Sequence, residues 1–309
     1  MVRSQSPIMK TNIKYYEAAG ITVQVISDFP IYENTFHPKF KLFEVDKQTG
    51  PNIIVKHHFA LPKYINELTL KKNQLYNKDH WIIYKTDTCW IYKYTPLLKS
   101  DPGYKAIGIF NNDHSFVEIF TDIISKTQYQ TASLNALTLF NTDQILFSKP
   151  ICDRNGLILH SNGFNIDGNG VLFVGESGAG KSTLSSMLQQ KGLEVLCDDR
   201  MFITQINNNF WIHGNWCHGT VANVANISTP LKKIFFIKQS QINKATKITS
   251  DNKKIQPLLQ SLVKAFLTSS DWEITLFSLN KLLRSTDCYF LEFNLSGEIF
   301  KTITNELTQ

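Results

Sequence analysis

Between residues 175 and 183 the chain reads Gly175-Glu176-Ser177-Gly178-Ala179-Gly180-Lys181-Ser182-Thr183. Glycines at 175, 178 and 180 let backbone N–H groups turn inward where a side chain would block a ligand's approach. A lysine and a hydroxyl residue follow at the spacing G-x-x-x-x-G-K-[ST], which suits the phosphates of a nucleoside triphosphate such as ATP. In that chemistry Lys181 sits on the β- and γ-phosphates and Ser182 gives its hydroxyl oxygen to Mg²⁺, while Thr183 is a helix residue. The strand pattern ending at Val174 and the helix pattern opening at Lys181 supply the required context, and the helix N-terminus adds partial positive charge. A glycine-rich turn that binds nothing is the alternative, and the agreement of loop, lysine, hydroxyl and flanking elements argues against it.

The same cradle serves kinases, transporters and GTPases, so its surroundings must decide the reaction. Cys197-Asp198-Asp199-Arg200 follows directly on the strand after the loop helix. Both carboxylates are therefore expected at a strand end near the phosphates, on opposite faces because adjacent strand residues alternate. One aspartate can hold magnesium while the other accepts a proton from an incoming hydroxyl, the two tasks phosphoryl transfer requires. A solvated turn is the competing use of an Asp-Asp pair, and the pair alone does not choose. His160, beside an apolar strand, is by itself as readily structural as catalytic. Arg200 can serve the phosphates or a surface ion pair.

These residues need elements to hold them. After Gly156 short apolar strands alternate with helices, the texture of an α/β domain. Strands are expected at 157–160, 170–174, 193–197, 233–238 and 288–293, and helices at 181–191, 255–267 and 274–283. Before it, residues 21–121 carry strand-like runs rich in β-branched and aromatic residues, with hairpins around Asp87-Thr88 and Asn111-Asn112-Asp113. We expect an antiparallel β-rich domain over residues 1–130 and a catalytic domain over 131–309. A linking helix is expected over 132–151, broken near Asn141-Thr142-Asp143.

Composition excludes several classes. The formal charge of +6 is almost all lysine, since Arg3, Arg154, Arg200 and Arg284 are the only arginines. A lysine-rich solvated surface is favoured over a nucleic-acid footprint, which uses arginine for bidentate contacts. The five cysteines contain no Cys-x-x-Cys pair, so neither a disulfide framework nor a zinc site is indicated, and a cytoplasmic location fits. No apolar run approaches the roughly 18 residues of a membrane span.

Residues 160–203 resemble HPr kinase/phosphorylase and its smaller relatives, whose core is like that of phosphoenolpyruvate carboxykinase. That family shows H-G-x-x-V-x-x-x-G-x-G-V-L-L-x-G-x-S-G-x-G-K-S and then R-G-H-x-L-V-A-D-D-x-V. Here His160-Ser161-Asn162-Gly163, Gly168-Asn169-Gly170-Val171-Leu172-Phe173-Val174, the loop, and Lys191-Gly192-Leu193-Glu194-Val195-Leu196-Cys197-Asp198-Asp199-Arg200-Met201 match without a gap. The resemblance implies a P-loop kinase core in which Asp199 is the general base, His160 assists it, Asp198 lies near the metal and Lys181 completes the catalytic set. It also implies a protein or peptide acceptor with a serine or threonine hydroxyl, and self-association into a homo-oligomer.

Beyond Ile203 the likeness thins. The E-I-R-G-L-G signature that carries a magnesium-binding glutamate is missing, which removes the basis for phosphorylase activity. In its place Gly214-Asn215-Trp216-Cys217-His218-Gly219-Thr220 is similar to a G-T-P-W-x-G segment of the small relatives, some of which accompany peptide natural-product pathways. His218 is there a loop histidine without a role or a site residue. The strand-rich first half would then supply the acceptor groove through an edge strand.

Three rivals remain. Asn294-Leu295-Ser296-Gly297-Glu298 echoes a transporter signature, but it lies too near the end of the sequence and reads more simply as a hairpin turn. A carboxykinase acting on oxaloacetate would need more arginine. A nucleotide-binding recognition module without phosphoryl transfer is the serious alternative, and a small acceptor such as free serine is the variant within the kinase reading.

Overall fold

The structure, a computed structural model, describes residues 11–46, 50, 52–101, 103–217, 224–264 and 268–308. The chain divides into two compact units, residues 1–146 and 147–309. Strands of the first unit are β1 (Thr11–Ala18), β2 (Ile21–Ile31), β3 (Glu44–Val45), β4 (Ile53–His58), β5 (Gln74–Lys78), β6 (Trp81–Lys85), β7 (Cys89–Tyr94), β8 (Ala106–Asn111) and β9 (Phe116–Phe120). Among the described residues they form one sheet in the order β3-β1-β2-β4-β9-β8-β7-β6-β5. Two short helices, α1 (Ile65–Leu68) and α2 (Lys126–Gln130), accompany it.

The expected hairpins are present: β6 pairs with β7, and β8 with β9, antiparallel. The wholly antiparallel expectation is corrected, because β2 with β4 and β4 with β9 run parallel. A parallel pair needs a crossover of a dozen or more residues, and the chain between Ile31 and Ile53 provides one, placing β3 on the far edge of β1 on its way. Strand composition carries no direction, so this was not readable from residue types.

The linking helix is also shorter than expected. Helix α3 spans only Gln144–Cys152, and the residues before it close on the first unit. The carboxylate of Asp143, fully buried, accepts hydrogen bonds from the backbone N–H groups of Leu137 at 2.7 Å and Thr138 at 3.0 Å and from the Thr138 hydroxyl at 2.7 Å. Those amides are thereby taken out of any helical ladder.

The second unit holds β10 (Leu157–Ile166), β11 (Asn169–Val174), β12 (Glu194–Cys197), β13 (Arg200–Ile206), β14 (Asn209–His213), β15 (Ser228–Gln239), β16 (Lys244–Lys247) and β17 (Asp287–Phe293). Its helices are α4 (Lys181–Gln190), α5 (Asp251–Ser261), α6 (Ser269–Ser285) and α7 (Ile299–Leu307). Strands β11, β15 and β17 are mutually parallel and β10 is antiparallel to β11. Both faces of these central strands are covered, so they read as continuous apolar runs. Leu172, Val174, Ile234 and Phe236 pack with Leu258 of α5 and Leu279, Leu282 and Leu283 of α6. Val171, Phe173, Phe235 and Ile237 pack on the other face with Leu184 and Leu188 of α4 and Ile299 and Ile303 of α7.

Two local readings change. Strands β10 and β11 are joined by a tight hairpin at Asp167-Gly168, with φ of 51° and 80°, the left-handed pair that such a turn requires. The Asp-Gly dipeptide is a direct signal for it. The Ser296-Gly297 segment leads into α7 instead of forming a hairpin: Asn294 Oδ1 accepts from the N–H of Ser296, and Gly297 sits at φ 81° just before the helix.

Asp143→Ala leaves three donors without their carboxylate, so we expect a loss of about 3 kcal/mol in stability, read as a lowered thermal or urea midpoint of the full chain.

Candidate functional site

Strand β10 is the beam on which the site is built. Along one edge its residues Leu157–His160 pair with Arg200–Ile203 of β13, and Gly163–Asn165 pair with the Glu194–Cys197 strand β12. Asp198 and Asp199 fall between those two pairings. Along the other edge Ser161 stands opposite Val174, the last residue before the loop. His160 is thus placed between the phosphate loop and the acidic doublet by backbone pairing alone, and the N–H of Ser161 donates to the carbonyl of Asp199 at 3.0 Å.

The imidazole Nδ1 of His160 lies 2.8 Å from Oδ1 of Asp199, and the guanidinium of Arg200 donates to the other carboxylate oxygen. Of the two roles open to Arg200, the structure shows an ion pair with its neighbour. Burial pushes the Asp199 carboxyl up, but the His160 hydrogen bond, the Arg200 charge and the Lys181 charge together hold it below its ordinary range. Burial lowers Lys181 from its usual value, and the charge of Asp199 partly offsets this. Asp198 is buried at the same junction.

The loop has the form of a cradle. Gly178 and Gly180 take φ of 82° and 96°, and a Cβ at Gly180 would stand 2.8 Å from Gln239 Nε2 and 2.9 Å from Phe293 Cζ. Among the described residues nothing accepts from the N–H groups of Gly178, Gly180 and Lys181. The Lys181 ammonium folds back to donate to the carbonyls of Gly175 at 2.7 Å and Glu176 at 3.2 Å. Ser182 and Thr183 lie exposed in the first turn of α4, and Glu176 and Ser177 are exposed in the loop. Together with Ala179, the loop residues from Gly175 border a cleft of about 810 Å³ that also reaches His160.

Magnesium bound to a nucleotide takes few protein ligands, commonly a hydroxyl and a carboxylate, with phosphate oxygens and water filling the rest. The Ser182 hydroxyl and the Asp198 carboxylate are donors of the right type. Among the described residues no group of three or more His, Cys, Asp or Glu side chains forms a metal cluster, a pattern such a site does not need.

Several supporting residues escaped the sequence reading. Asn162, fully buried, donates through Nδ2 to the carbonyl of Lys181 at 3.1 Å and to the hydroxyl of Ser185, clamping α4 onto β10. Asn215 donates to the carbonyl of Arg200 at 2.8 Å and accepts from the N–H of Cys217 at 2.8 Å, tying its segment to the acidic doublet. Cys197 donates to the Cys217 carbonyl at 3.3 Å, and burial pushes its thiol up to about 12, which keeps it protonated. His218, Gly219 and Thr220 lie outside the described residues. Phe236, Pro257, Gln260 and Phe290 also border the cleft; their motif-free spacing gave no sign of it.

Residues 127–308 match the model of a family described as SynChlorMet cassette protein ScmC. The chain belongs to the ScmC family. No curated protein matches the chain. Among solved structures it is similar to the Hpr(Ser) kinase/phosphatase from Coxiella burnetii, at 15% identity and a TM-score of 0.29, over 49% of this chain and 96% of that one. No helix among the described residues is long and apolar enough to cross a membrane.

The Asp199 pairing has a pH signature. Its carboxyl titrates lower in the folded chain than an ordinary aspartate, whose value is 3.8, so the stabilisation it brings is fully present above that value. It is lost as pH falls through the folded-state value. Asp199→Asn should therefore destabilise the chain near neutrality and cost progressively less on acidification below about pH 4, as followed by urea midpoints across pH.

Proposed function

We propose that this chain is an ATP- and magnesium-dependent kinase that places the γ-phosphoryl group on a hydroxyl, a serine of a protein or peptide acceptor. The observation that carries this reading is the Asp199 carboxylate, held 2.8 Å from His160 at the strand end beside a phosphate cradle. A carboxylate so placed can take the proton of an attacking alcohol, and a lone cradle could not.

The chain's own residues divide the work. Lys181 turns its ammonium from the loop carbonyls to the β- and γ-phosphates, and the loop amides receive the phosphate oxygens. Ser182 and Asp198 would hold magnesium, which when bound would supply charge neutralisation to the phosphates. Asp199 accepts a hydrogen bond from the acceptor hydroxyl. As the hydroxyl oxygen bonds to the γ-phosphorus, the bond from that phosphorus to the β–γ bridging oxygen breaks, the proton passes to Asp199 and ADP leaves. A carboxylate held below its usual range is a weak base, which suits a loose transition state in which the alcohol needs its proton removed late. His160 and Arg200 fix the carboxylate's two oxygens, and residues 1–130 are assigned to the acceptor.

Transfer of labelled γ-phosphate in the presence of candidate serine peptides, and of free serine, tests the reading. Asp199→Asn should lower transfer by about 10²- to 10⁴-fold while leaving ATP affinity within about twofold. Lys181→Ala should weaken ATP binding itself by about tenfold or more. The lost glutamate signature supports one other reading, a nucleotide-binding recognition module. That reading prevails if Asp199→Asn changes neither hydrolysis nor transfer while ATP still binds.

A second expectation separates positioning from chemistry. His160→Gln removes the imidazole but keeps a donor, so transfer should fall less than with His160→Ala, and the acid limb of the rate profile should move to higher pH in both as the Asp199 carboxyl titrates closer to its ordinary range.

A further inference from the structure

Positions 160 and 162 of β10 are two residues apart on one strand, so their side chains share a face at a spacing of about 7 Å. His160 uses its place to meet Asp199 at 2.8 Å. Asn162, fully buried, reaches the other part of the site. Both hydrogens of its Nδ2 are committed to α4, one to the carbonyl of Lys181 at 3.1 Å and one to the Ser185 hydroxyl. As a packing group this amide is incomplete. Its Oδ1 is buried and receives no hydrogen bond from any described residue, and a buried acceptor left so opposes folding. Exchanging the oxygen and the nitrogen would let the Ser185 hydroxyl donate to Oδ1, but would set Oδ1 against the Lys181 carbonyl.

We propose that Asn162 is a positioning residue for phosphoryl transfer, setting the phosphate-loop lysine at a fixed distance from the His160–Asp199 pair. The inference rests on the kinase reading above and names the group that joins its two halves. The carbonyl of Lys181 does not need the amide, because it opens α4, where the i→i−4 ladder supplies its partner. The helix does not need it either: Leu184 and Leu188 already pack with Phe164 of β10 and Phe173 of β11. What the bond adds is a direct tie from the strand that carries His160 to the backbone that carries Lys181. That backbone matters because the ammonium ends a flexible stem and rests on the carbonyls of Gly175 and Glu176. Its reach toward a phosphate is set where the stem begins. A misplacement of about 1 Å between reacting groups costs on the order of 10²-fold in rate.

The full chain tests this with γ-labelled ATP and Mg²⁺ as donor and with serine peptides, free serine and water as acceptors. Asn162→Leu is nearly isosteric and removes the orphan acceptor, while the Ser185 hydroxyl can turn to the Lys181 carbonyl one turn back. The urea midpoint should therefore stay close to that of the unsubstituted chain. Its kcat should fall by about 10²-fold with the KM for ATP within about twofold. Ser185→Ala breaks only the packing bond and should leave kcat within about threefold. Equal kcat in Asn162→Leu and the unsubstituted chain, or equal losses in Asn162→Leu and Ser185→Ala, overturns the positioning role. So does a raised KM with kcat intact, which marks packing or binding alone. If Asn162→Leu does not fold, Asn162→Ala takes its place in the same comparison. The two readings fail differently. An unsubstituted chain that binds ATP and transfers phosphate to none of the three acceptors ends the kinase reading and this role together, whereas a transferring chain with an indifferent Asn162→Leu ends only the role.

Discussion

The site depends on one electrostatic contact, the carboxylate of Asp199 held between an imidazole and a guanidinium within reach of the Lys181 charge. Taking a carboxylate largely out of water costs several kcal/mol unless donors replace its hydration. Here the His160 imidazole and the Arg200 guanidinium supply them, the Lys181 charge adds its attraction, and the net result is a carboxyl held below its ordinary range. The lysine benefits in turn, because burial alone would push it toward neutrality and the carboxylate partly offsets that. Phosphate loop and acidic doublet are therefore a single coupled charge system.

That coupling is set by main-chain pairing. Because β10 takes β11 on one edge and β12 with β13 on the other, the residues on either side of it are brought within a strand spacing or two of each other. The sheet keeps this order because its central strands are apolar on both faces, each face filled by a different helix pair. A register slip by one residue would exchange the two faces and turn His160 away from Asp199. The tight Asp167-Gly168 turn pins the register of β10 against β11, and the Asn162 bonds pin α4 against β10.

The residues of the candidate site were easier to single out in the sequence than the architecture around them. The phosphate loop is contiguous, its glycines answer to local backbone demands, and its flanking strand and helix were readable from periodicity. The doublet Asp198-Asp199 and His160 could be singled out by type, but their meeting is a product of strand pairing between segments some forty residues apart, which spacing alone does not encode; the family resemblance supplied it. Parallel pairing of β2, β4 and β9 was missed because the same β-branched residues serve either direction. The stretch before Gln144 imitated a helix in its apolar spacing, yet Asp143 captures the amides that a helix would have used. Asn162 and Asn215 left no trace, since a buried asparagine that clamps backbone looks in sequence like any loop asparagine.

The scarcity of arginine shapes how such a site can work. Arg200 is already committed to Asp199, and among the described residues no arginine borders the cleft. In the phosphoryl transfer proposed above, stabilising the transferring group would then fall to lysine and to backbone amides. Lysine is a point charge without the planar fork that fixes phosphate geometry, so geometric definition must come from the rigid loop, where Gly178 and Gly180 set the backbone and neighbouring side chains leave no room for a Cβ at Gly180. In the function proposed above, the loop would supply shape, Lys181 charge, and Asp199 direction to the incoming oxygen. A chain with few arginines can reach the same end only if its backbone is held as firmly as this sheet holds it.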